Sequence, residues 1–130
     1  MIADTSAIVA LIMREPEYLR IAQALEASPT TSMSAVSLFE LKVVMASERM
    51  RTFAHRVDEM LLRYRIGVVP FDAEHVTAAE HAYETYGKGN HPAGLNLGDC
   101  ASYATATIRQ ESLLYVGKDF AQTDIESTLV

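Results

Sequence analysis

The chain has 130 residues, a net charge of −6 and one cysteine. Its length suits a single domain with its own core, so we expect one domain over residues 1–130. No segment approaches the roughly 18 consecutive apolar residues of a membrane span, and the first residues lack the features of a signal peptide. A lone cysteine excludes an internal disulfide. These features predict a cytoplasmic protein with no membrane partner, and the acidic charge argues weakly against general nucleic-acid coating.

The first half of the chain alternates short apolar runs with helical patterns. Residues 1–4 predict a short buried strand, and a helix from Thr5 or Ser6 to Met13 follows. A helix over residues 15–27 is predicted next, with Leu19, Ala22 and Leu25 on its apolar stripe. A strand over 30–33 and a helix from 35 to about 49, capped by Ser34, follow. The last helix of this half covers residues 52–65, and its stripe consists of Phe53, Val57, Met60, Leu61 and Tyr64. The helix after Ser34 is apolar on nearly every side, so we expect it to be largely buried.

The second half continues the same alternation. It predicts a strand over residues 66–71, a helix capped by Asp72 and reaching Tyr86, a long loop over 87–97, a helix from Gly98 or Asp99 to about 111, and a strand over 113–116. Strands joined by helical crossovers form parallel sheets with helices on both faces. The predicted fold class is therefore α/β, with three α/β/α layers around a central, mainly parallel sheet.

Four carboxylates interrupt or terminate apolar segments: Asp4, Glu40, Asp99 and Asp119. An ionised carboxylate near an apolar interior is costly unless it is paired or holds a metal ion. Asp4 and Asp119 each follow a predicted strand, and ligands of open parallel sheets bind beyond the carboxyl ends of the strands. We therefore expect the four side chains to share one acidic pocket that binds a divalent cation.

Each carboxylate also has a purely structural interpretation. Asp4 and Asp99 are in positions typical of helix N-caps, and Asp119 is in a position typical of an Asx-turn. Glu40 is harder to explain, because its neighbours one turn away are mostly apolar. A salt bridge from Glu40 to Lys118 or an arginine is the remaining alternative.

The chemistry of such a pocket is that of a phosphoesterase. Carboxylate oxygens favour Mg²⁺ or Mn²⁺, which activate water for the hydrolysis of phosphodiesters. Six of the eleven basic residues lie between positions 42 and 65, where they either contact a phosphodiester backbone or solvate helix faces. His75 and His81 are six residues apart on one helix and do not chelate together, and Cys100 is expected to be a small buried residue.

Four segments carry a family resemblance: residues 4–7 (Asp-Thr-Ser-Ala), 34–41, 96–101 and 117–125. Together, in this order and at this spacing, they resemble the PIN-domain ribonucleases, and more narrowly the VapC toxins of type II toxin–antitoxin pairs. The loop over residues 87–97 also resembles one VapC subgroup. The resemblance extends over the full length of the chain.

The resemblance implies a PIN-like α/β/α fold, Mg²⁺- or Mn²⁺-dependent endonucleolytic cleavage of RNA, a homodimer, and inhibition by a VapB-type antitoxin. Asp4, Glu40, Asp99 and Asp119 match the family's acidic quartet and take its catalytic and metal-binding roles. The supporting residues are Thr5 or Ser6, at the hydroxyl position, and Asp124, as an outer carboxylate. Many relatives have Asn where this chain has Lys118, which either pairs with Asp119 or contacts the scissile phosphate.

Other functions remain open at this point. The chain is alternatively a catalytically silent PIN-like interaction domain or a nuclease for single-stranded DNA, since nothing in the sequence identifies a reader of the RNA 2′-hydroxyl. A phosphorylatable receiver domain is disfavoured, because no apolar strand in the middle of the chain ends in Asp. The RNA target and the number of metal ions, one or two, are not specified by the sequence.

Overall fold

The computed structural model describes residues 1–129, which form a parallel sheet packed against helices. Over this range the strands are β1 (Ile2–Ala3), β2 (Thr31–Ser34), β3 (Ile66–Val69) and β4 (Leu113–Leu114). The helices are α1 (Thr5–Ile12), α2 (Tyr18–Ala27), α3 (Ala35–Met45), α4 (Arg56–Arg63), α5 (Ala73–Tyr86) and α6 (Leu97–Arg109). Two short 3-10 turns cover Arg51–Phe53 and Phe120–Gln122.

The sheet has the strand order β3-β2-β1-β4, and every pairing is parallel. Ile2 of the central strand β1 is in register with Ser32 on one side and Leu113 on the other. Parallel neighbours require crossover connections, which the helices provide. The carboxyl ends of all four strands therefore lie along one edge, and the predicted α/β architecture is confirmed.

Alternation along the strands divides the core between the two faces of the sheet. Ile2 and Leu113 belong to one apolar cluster, whereas the next residues, Ala3 and Leu114, belong to the other. Successive strand residues point to opposite faces, so each face of the sheet has its own packed layer. One cluster gathers α1 to α4, and the other gathers α5, α6 and the C-terminal segment.

Polar caps set the start of four helices. The side chains of Asp4, Ser34, Asp72 and Asn96 accept hydrogen bonds from backbone N–H groups in the first turns of α1, α3, α5 and α6. The caps predicted at Ser34 and Asp72 are thus confirmed. The prediction that α6 starts at Gly98 or Asp99 is wrong by one or two residues, because Asn96 supplies the cap and Leu97 begins the helix.

The second helix is shorter than the sequence predicts. It begins at Tyr18 rather than at residue 15, and Leu19 is exposed although it was expected on the apolar stripe. Leu25, which was predicted on the stripe, is buried together with Ile21, and Ala22 is partly buried. Ile21 and Leu25 are four residues apart and therefore share one face of the helix.

The largest correction concerns α3. It ends at Met45 instead of about 49, and only Ser37, Leu41 and Met45 are buried. Phe39 is 69 % exposed, so the expectation of a largely buried helix is wrong. An apolar composition on every side predicts burial only when packing partners surround the helix, and α3 has partners on one side.

Several other boundaries move inward. The helix predicted over residues 52–65 divides into a 3-10 turn and α4, although its predicted stripe does pack on the core, with Val57 buried. Pro70 follows β3, and a proline has no N–H to continue a strand ladder. Beyond β4, the Val116 N–H donates to the Ser6 hydroxyl instead of to another strand.

None of the helices within residues 1–129 is long and apolar enough to cross a membrane.

Candidate metal and catalytic site

Asp4 lies at the carboxyl end of the central strand β1 and is 3 % exposed. Its Oδ2 accepts hydrogen bonds from the Ser6 backbone N–H at 3.0 Å and from the Ser6 hydroxyl at 2.7 Å. Its Oδ1 accepts a hydrogen bond from the Ser102 hydroxyl at 2.5 Å. The N-cap expectation is therefore confirmed, but capping engages only one of the two oxygens, and the other is held by a residue of α6.

Asp99 occupies the first turn of α6 as the third residue of a capping box. Its Oδ2 accepts a hydrogen bond from the Asn96 N–H at 3.0 Å, and its own N–H donates to Asn96 Oδ1 at 2.8 Å. Burial, together with the charges of Asp4, Asp119 and Glu40, raises the pKa of Asp99 to about 6 against the opposing effect of the Asn96 hydrogen bond. The negative charges of all three other predicted site carboxylates therefore contribute to the raised pKa of Asp99.

Glu40 projects from α3 toward the start of α6. A Cβ atom built on Gly98 would lie 2.1 Å from Glu40 Oε2, so the glycine leaves the space that this carboxylate fills. Glu40 is half-buried, and within residues 1–129 it forms no ion pair with Lys118 or an arginine. The salt-bridge alternative for Glu40 is thus wrong, and its carboxylate stands beside Asp99.

Asp119 precedes the 3-10 turn Phe120–Gln122 on the segment that leaves β4. Its side chain is exposed and makes no capping hydrogen bond to that turn. Gly117, with φ +107, turns the chain between the strand and Asp119. The charge of Asp119 contributes to the raised pKa of Asp99.

The supporting residues have distinct local roles. The Ser6 hydroxyl joins the ends of β1 and β4, since it donates to Asp4 and accepts from the Val116 N–H at 3.1 Å. Thr5 is buried, and its hydroxyl donates to the Ser37 carbonyl at 3.0 Å. Ser6, rather than Thr5, is therefore the hydroxyl that touches a site carboxylate.

Asp124 is placed at a different contact. Its Oδ1 accepts a hydrogen bond from the Tyr103 hydroxyl at 2.5 Å, and burial together with this carboxylate raises the pKa of Tyr103. Asp124 is not among the charges that act on Asp99. In this arrangement it fastens the C-terminal segment to α6.

The sequence analysis did not identify two serines that are hydrogen-bonded to the site: Ser37 on α3 and Ser102 on α6. Both are 0 % exposed, and their hydroxyl oxygens are 2.9 Å apart. The available signal was their spacing, since each serine lies three residues from a predicted site carboxylate on the same helix. A serine within the small, mostly apolar segment of α6 would have needed a partner in any buried position.

The other polar candidates are not drawn to this site. Cys100 is 3 % exposed, and burial raises the pKa of its thiol to about 11, as expected for a packed residue. His75 is buried with its Nδ1 2.8 Å from Asp72 Oδ1, away from the four carboxylates in sequence and in contacts. Part of the basic cluster has structural partners: Lys42 pairs with Asp58 at 3.2 Å, and Arg56 donates to the Ile12 carbonyl.

The donor chemistry suits a hard divalent cation. All four groups are carboxylates, and Mg²⁺ and Mn²⁺ prefer oxygen ligands. As the side chains are placed, no three His, Cys, Asp or Glu residues within residues 1–129 converge closely enough to hold an ion. Burial and neighbouring charges raise the pKa of Asp99, and a bound cation would favour its ionised form.

The chain is similar over nearly its whole length to proteins of one family. The PIN domain family model matches residues 1–126. Ribonuclease VapC42 of Mycobacterium tuberculosis is 44 % identical over 126 residues, which cover 96 % of both chains. Ribonuclease VapC36 of the same organism is 45 % identical over 129 residues, covering 97 % of this chain and 91 % of its own length. The chain therefore belongs to the PIN-domain family, and within it to the VapC ribonucleases.

Solved structures share the fold. M. tuberculosis VapC20, a Sarcin-Ricin loop cleaving toxin, superposes with a TM-score of 0.76 at 15 % identity and covers 95 % of both chains. VapBC2 from Rickettsia felis, bound to a DNA fragment from its promoter, superposes with a TM-score of 0.73 at 16 % identity, covering 97 % of this chain and 94 % of the other.

Proposed function

We propose that this chain is a Mg²⁺- or Mn²⁺-dependent endoribonuclease, the toxin of a VapBC-type toxin–antitoxin pair, and that its 130 residues form one PIN domain. The observation that supports the proposal is the raised pKa of Asp99, to which burial contributes most and the charges of Asp4, Asp119 and Glu40 also contribute. The names of its relatives at 42–45 % identity, which are VapC ribonucleases, supply the reaction class.

In this proposal Asp4 and Asp99 are the principal metal ligands, and Glu40 and Asp119 complete the coordination directly or through water. A bound divalent cation supplies activation of water and stabilisation of the charge that develops on a phosphodiester. Asp4 is held in one orientation by hydrogen bonds to both of its oxygens. Asp99 is held through Oδ2 by its capping box, which leaves Oδ1 available to a metal ion.

Lys118 is proposed to contact the RNA. It is exposed next to Asp119, and within residues 1–129 no carboxylate pairs with its ammonium group. An unpaired cation at the rim of an acidic site is attracted to a substrate phosphate. The alternative, an ion pair with Asp119, has no support in the contacts of either side chain.

A VapB-type antitoxin is the proposed inhibitory partner, since solved relatives with the same fold include toxin–antitoxin complexes from Klebsiella pneumoniae and Rickettsia felis. We also propose a homodimer. Val76, Tyr83 and Leu97 are exposed and line a groove of about 690 Å³ between α5 and α6, and α3 exposes Phe39 and Val43 as well. Such exposed apolar surface favours a protein partner, because monomers rarely expose large apolar patches.

The decisive test is cleavage of mixed RNA by the purified protein with Mg²⁺, with Mn²⁺ and with a chelator. We expect cleavage that requires metal and disappears in Asp4→Asn. Asp58→Asn is the matched control, because Asp58 is an exposed carboxylate paired only with Lys42, and it should cut at the wild-type rate. Equal cutting by Asp4→Asn and wild type would overturn the proposal.

Parallel arms separate the alternatives. Single-stranded DNA of the same base sequence should remain intact, and its cleavage at the RNA rate would change the substrate class. A well-folded protein that binds no Mn²⁺ and cuts no RNA would instead indicate an interaction domain. For the dimer, Phe39→Ser should elute as a monomer while Leu62→Ser, which changes the 82 % exposed Leu62 of α4, should elute as wild type.

A further inference from the structure

Beneath the proposed site lies a pair of buried hydroxyls with a fixed direction of hydrogen bonding. The Ser102 hydroxyl donates to Asp4 Oδ1 at 2.5 Å, and the Ser37 hydroxyl oxygen lies 2.9 Å from that of Ser102. A serine has a single hydroxyl hydrogen, and Ser102 gives its hydrogen to Asp4. Ser37 must therefore be the donor to Ser102, so that the chain runs from Ser37 through Ser102 to Asp4.

The pair joins the two helices that carry the partly buried carboxylates of the site, Glu40 and Asp99. Ser37 lies three residues before Glu40 on α3, and Ser102 lies three residues after Asp99 on α6. Residues three apart share a helix face. The hydroxyl pair therefore crosses from α3 to α6 one turn away from Glu40 and from Asp99.

The surrounding packing makes this crossing tight. Gly98, in the first turn of α6, leaves only the space that Glu40 of α3 fills. The Thr5 hydroxyl donates to the Ser37 carbonyl at 3.0 Å, which attaches α1 to the same point of α3. Both serines are 0 % exposed, so no water is at hand to replace a lost hydroxyl without rearrangement.

We propose that Ser37 and Ser102 are positioning residues, which orient the Asp4 carboxylate for metal binding and set the spacing of α3 and α6, the helices that carry Glu40 and Asp99. This inference rests on the proposed function of the site. Outer partners of metal ligands act in this way in general, and their loss typically lowers metal affinity by about 10- to 100-fold. Neither serine belongs to the acidic quartet, and neither needs to touch metal or RNA to have this effect.

The test measures Mn²⁺ affinity without RNA, by electron paramagnetic resonance of the free ion. Ser102→Ala is expected to weaken binding by roughly tenfold or more, since one oxygen of Asp4 loses its donor. Ser37→Ala should weaken it less, because Ser37 acts through Ser102. For the same reason, the double variant should bind Mn²⁺ as Ser102→Ala does, since coupled residues are not additive.

The matched control is Thr105→Val. Thr105 is also on α6 and 0 % exposed, but its hydroxyl donates to the Ala101 carbonyl, within the same helix. This variant removes a buried hydroxyl of α6 without touching the pair, and it should bind Mn²⁺ as the wild type does. Thermal unfolding of each variant is recorded alongside, and Ser37→Ala gives the answer should Ser102→Ala not fold.

Three outcomes overturn the inference. Wild-type affinity in both Ser102→Ala and Ser37→Ala would show that the pair positions nothing. An equal loss in Thr105→Val would show a general effect of losing a buried hydroxyl. A wild-type protein that binds no Mn²⁺ would remove the proposed metal site and this inference with it, whereas the first two outcomes leave the proposed function standing.

Discussion

Helices α3 and α6 meet at the proposed site, but the extent to which each helix is buried is the reverse of what its composition suggests. α3 is the more apolar, but it buries only Ser37, Leu41 and Met45 and exposes Phe39 and Val43. α6 is built largely of Ala, Ser and Thr, and it buries eight residues in succession apart from Asp99, beginning with Gly98. Small side chains let α6 pack closely among the sheet, α3 and α5, whereas bulky apolar side chains on α3 are exposed.

The largest expected effect tests whether α3 is anchored to the core by the one face that contains Leu41. Leu41→Ala removes a fully buried side chain and should reduce the free energy of unfolding by about 3 kcal/mol, through lost burial and a residual cavity. Leu62→Ala makes the same chemical change at an 82 % exposed position of α4 and should have little effect. Urea unfolding of both variants checks this, and equal losses would mean that α3 has no distinct buried edge.

The next largest effect concerns the N-terminal end of α6, which carries Asp99 at the proposed site. Asp99→Asn keeps an acceptor for the Asn96 N–H, so the helix should start as before. It removes a proposed metal ligand, and we expect RNA cleavage to fall about 100-fold or more, which corresponds to roughly 2.7 kcal/mol of transition-state stabilisation. Cleavage rates at saturating Mg²⁺ measure this loss. Wild-type activity would exclude Asp99 from the site.

A smaller effect tests the contact between the two helices directly. Gly98→Ala places a methyl group where the Glu40 carboxylate lies, and only that flexible side-chain end needs to move. An alanine is also favoured over glycine within a helix by about 1 kcal/mol. We therefore expect stability to be kept or raised while cleavage drops about tenfold, because Glu40 is displaced. Unchanged cleavage would show that the position of Glu40 is unimportant.

The smallest effect is a dependence of stability on pH in metal-free protein. The pKa of Asp99 is raised to about 6 from 3.8, so the folded protein binds this proton more tightly than the unfolded chain does. Its protonation therefore stabilises the fold fully below pH 3.8, and this stabilisation is lost as the pH rises toward 6.

Asp99→Asn cannot ionise and should escape that loss. With chelator present, its melting temperature should exceed that of the wild type by about 3 °C at pH 8, and the difference should shrink toward pH 4. Differential scanning calorimetry at both pH values measures it. A difference of the same size at both would trace the effect to packing and not to the charge of Asp99.

Much of the site was predictable from sequence because its signals are local. Asp4 and Asp119 follow apolar runs, Glu40 lies among apolar neighbours, and an ionised group in such a place calls for an explanation. The caps at Ser34 and Asp72 were predictable for the same reason, since a cap acts within one turn. The family resemblance in four segments supplied the assignment of reaction class, which the residues alone left broader.

The sequence-based predictions were wrong where burial, strand length or hydrogen bonding depends on residues that are distant in the chain. Leu19 and Phe39 are apolar and were expected inside, but no element within residues 1–129 covers them. The strands ended early where Pro70 follows β3 and where Val116 turns to Ser6. Ser102 could not be connected with Asp4, 98 residues away, without the fold that brings them together.

The sequence by itself determined the α/β class, the order of the elements, the caps and the four carboxylates, because periodicity and capping are set by neighbours along the chain. Only the tertiary structure decided which face of α3 is buried, that Glu40 fits against Gly98, and that two serines link α3 and α6 beneath Asp4. The physical reason is that burial and hydrogen-bond partnership are properties of pairs, and most partners of this site are separated by tens of residues in the chain.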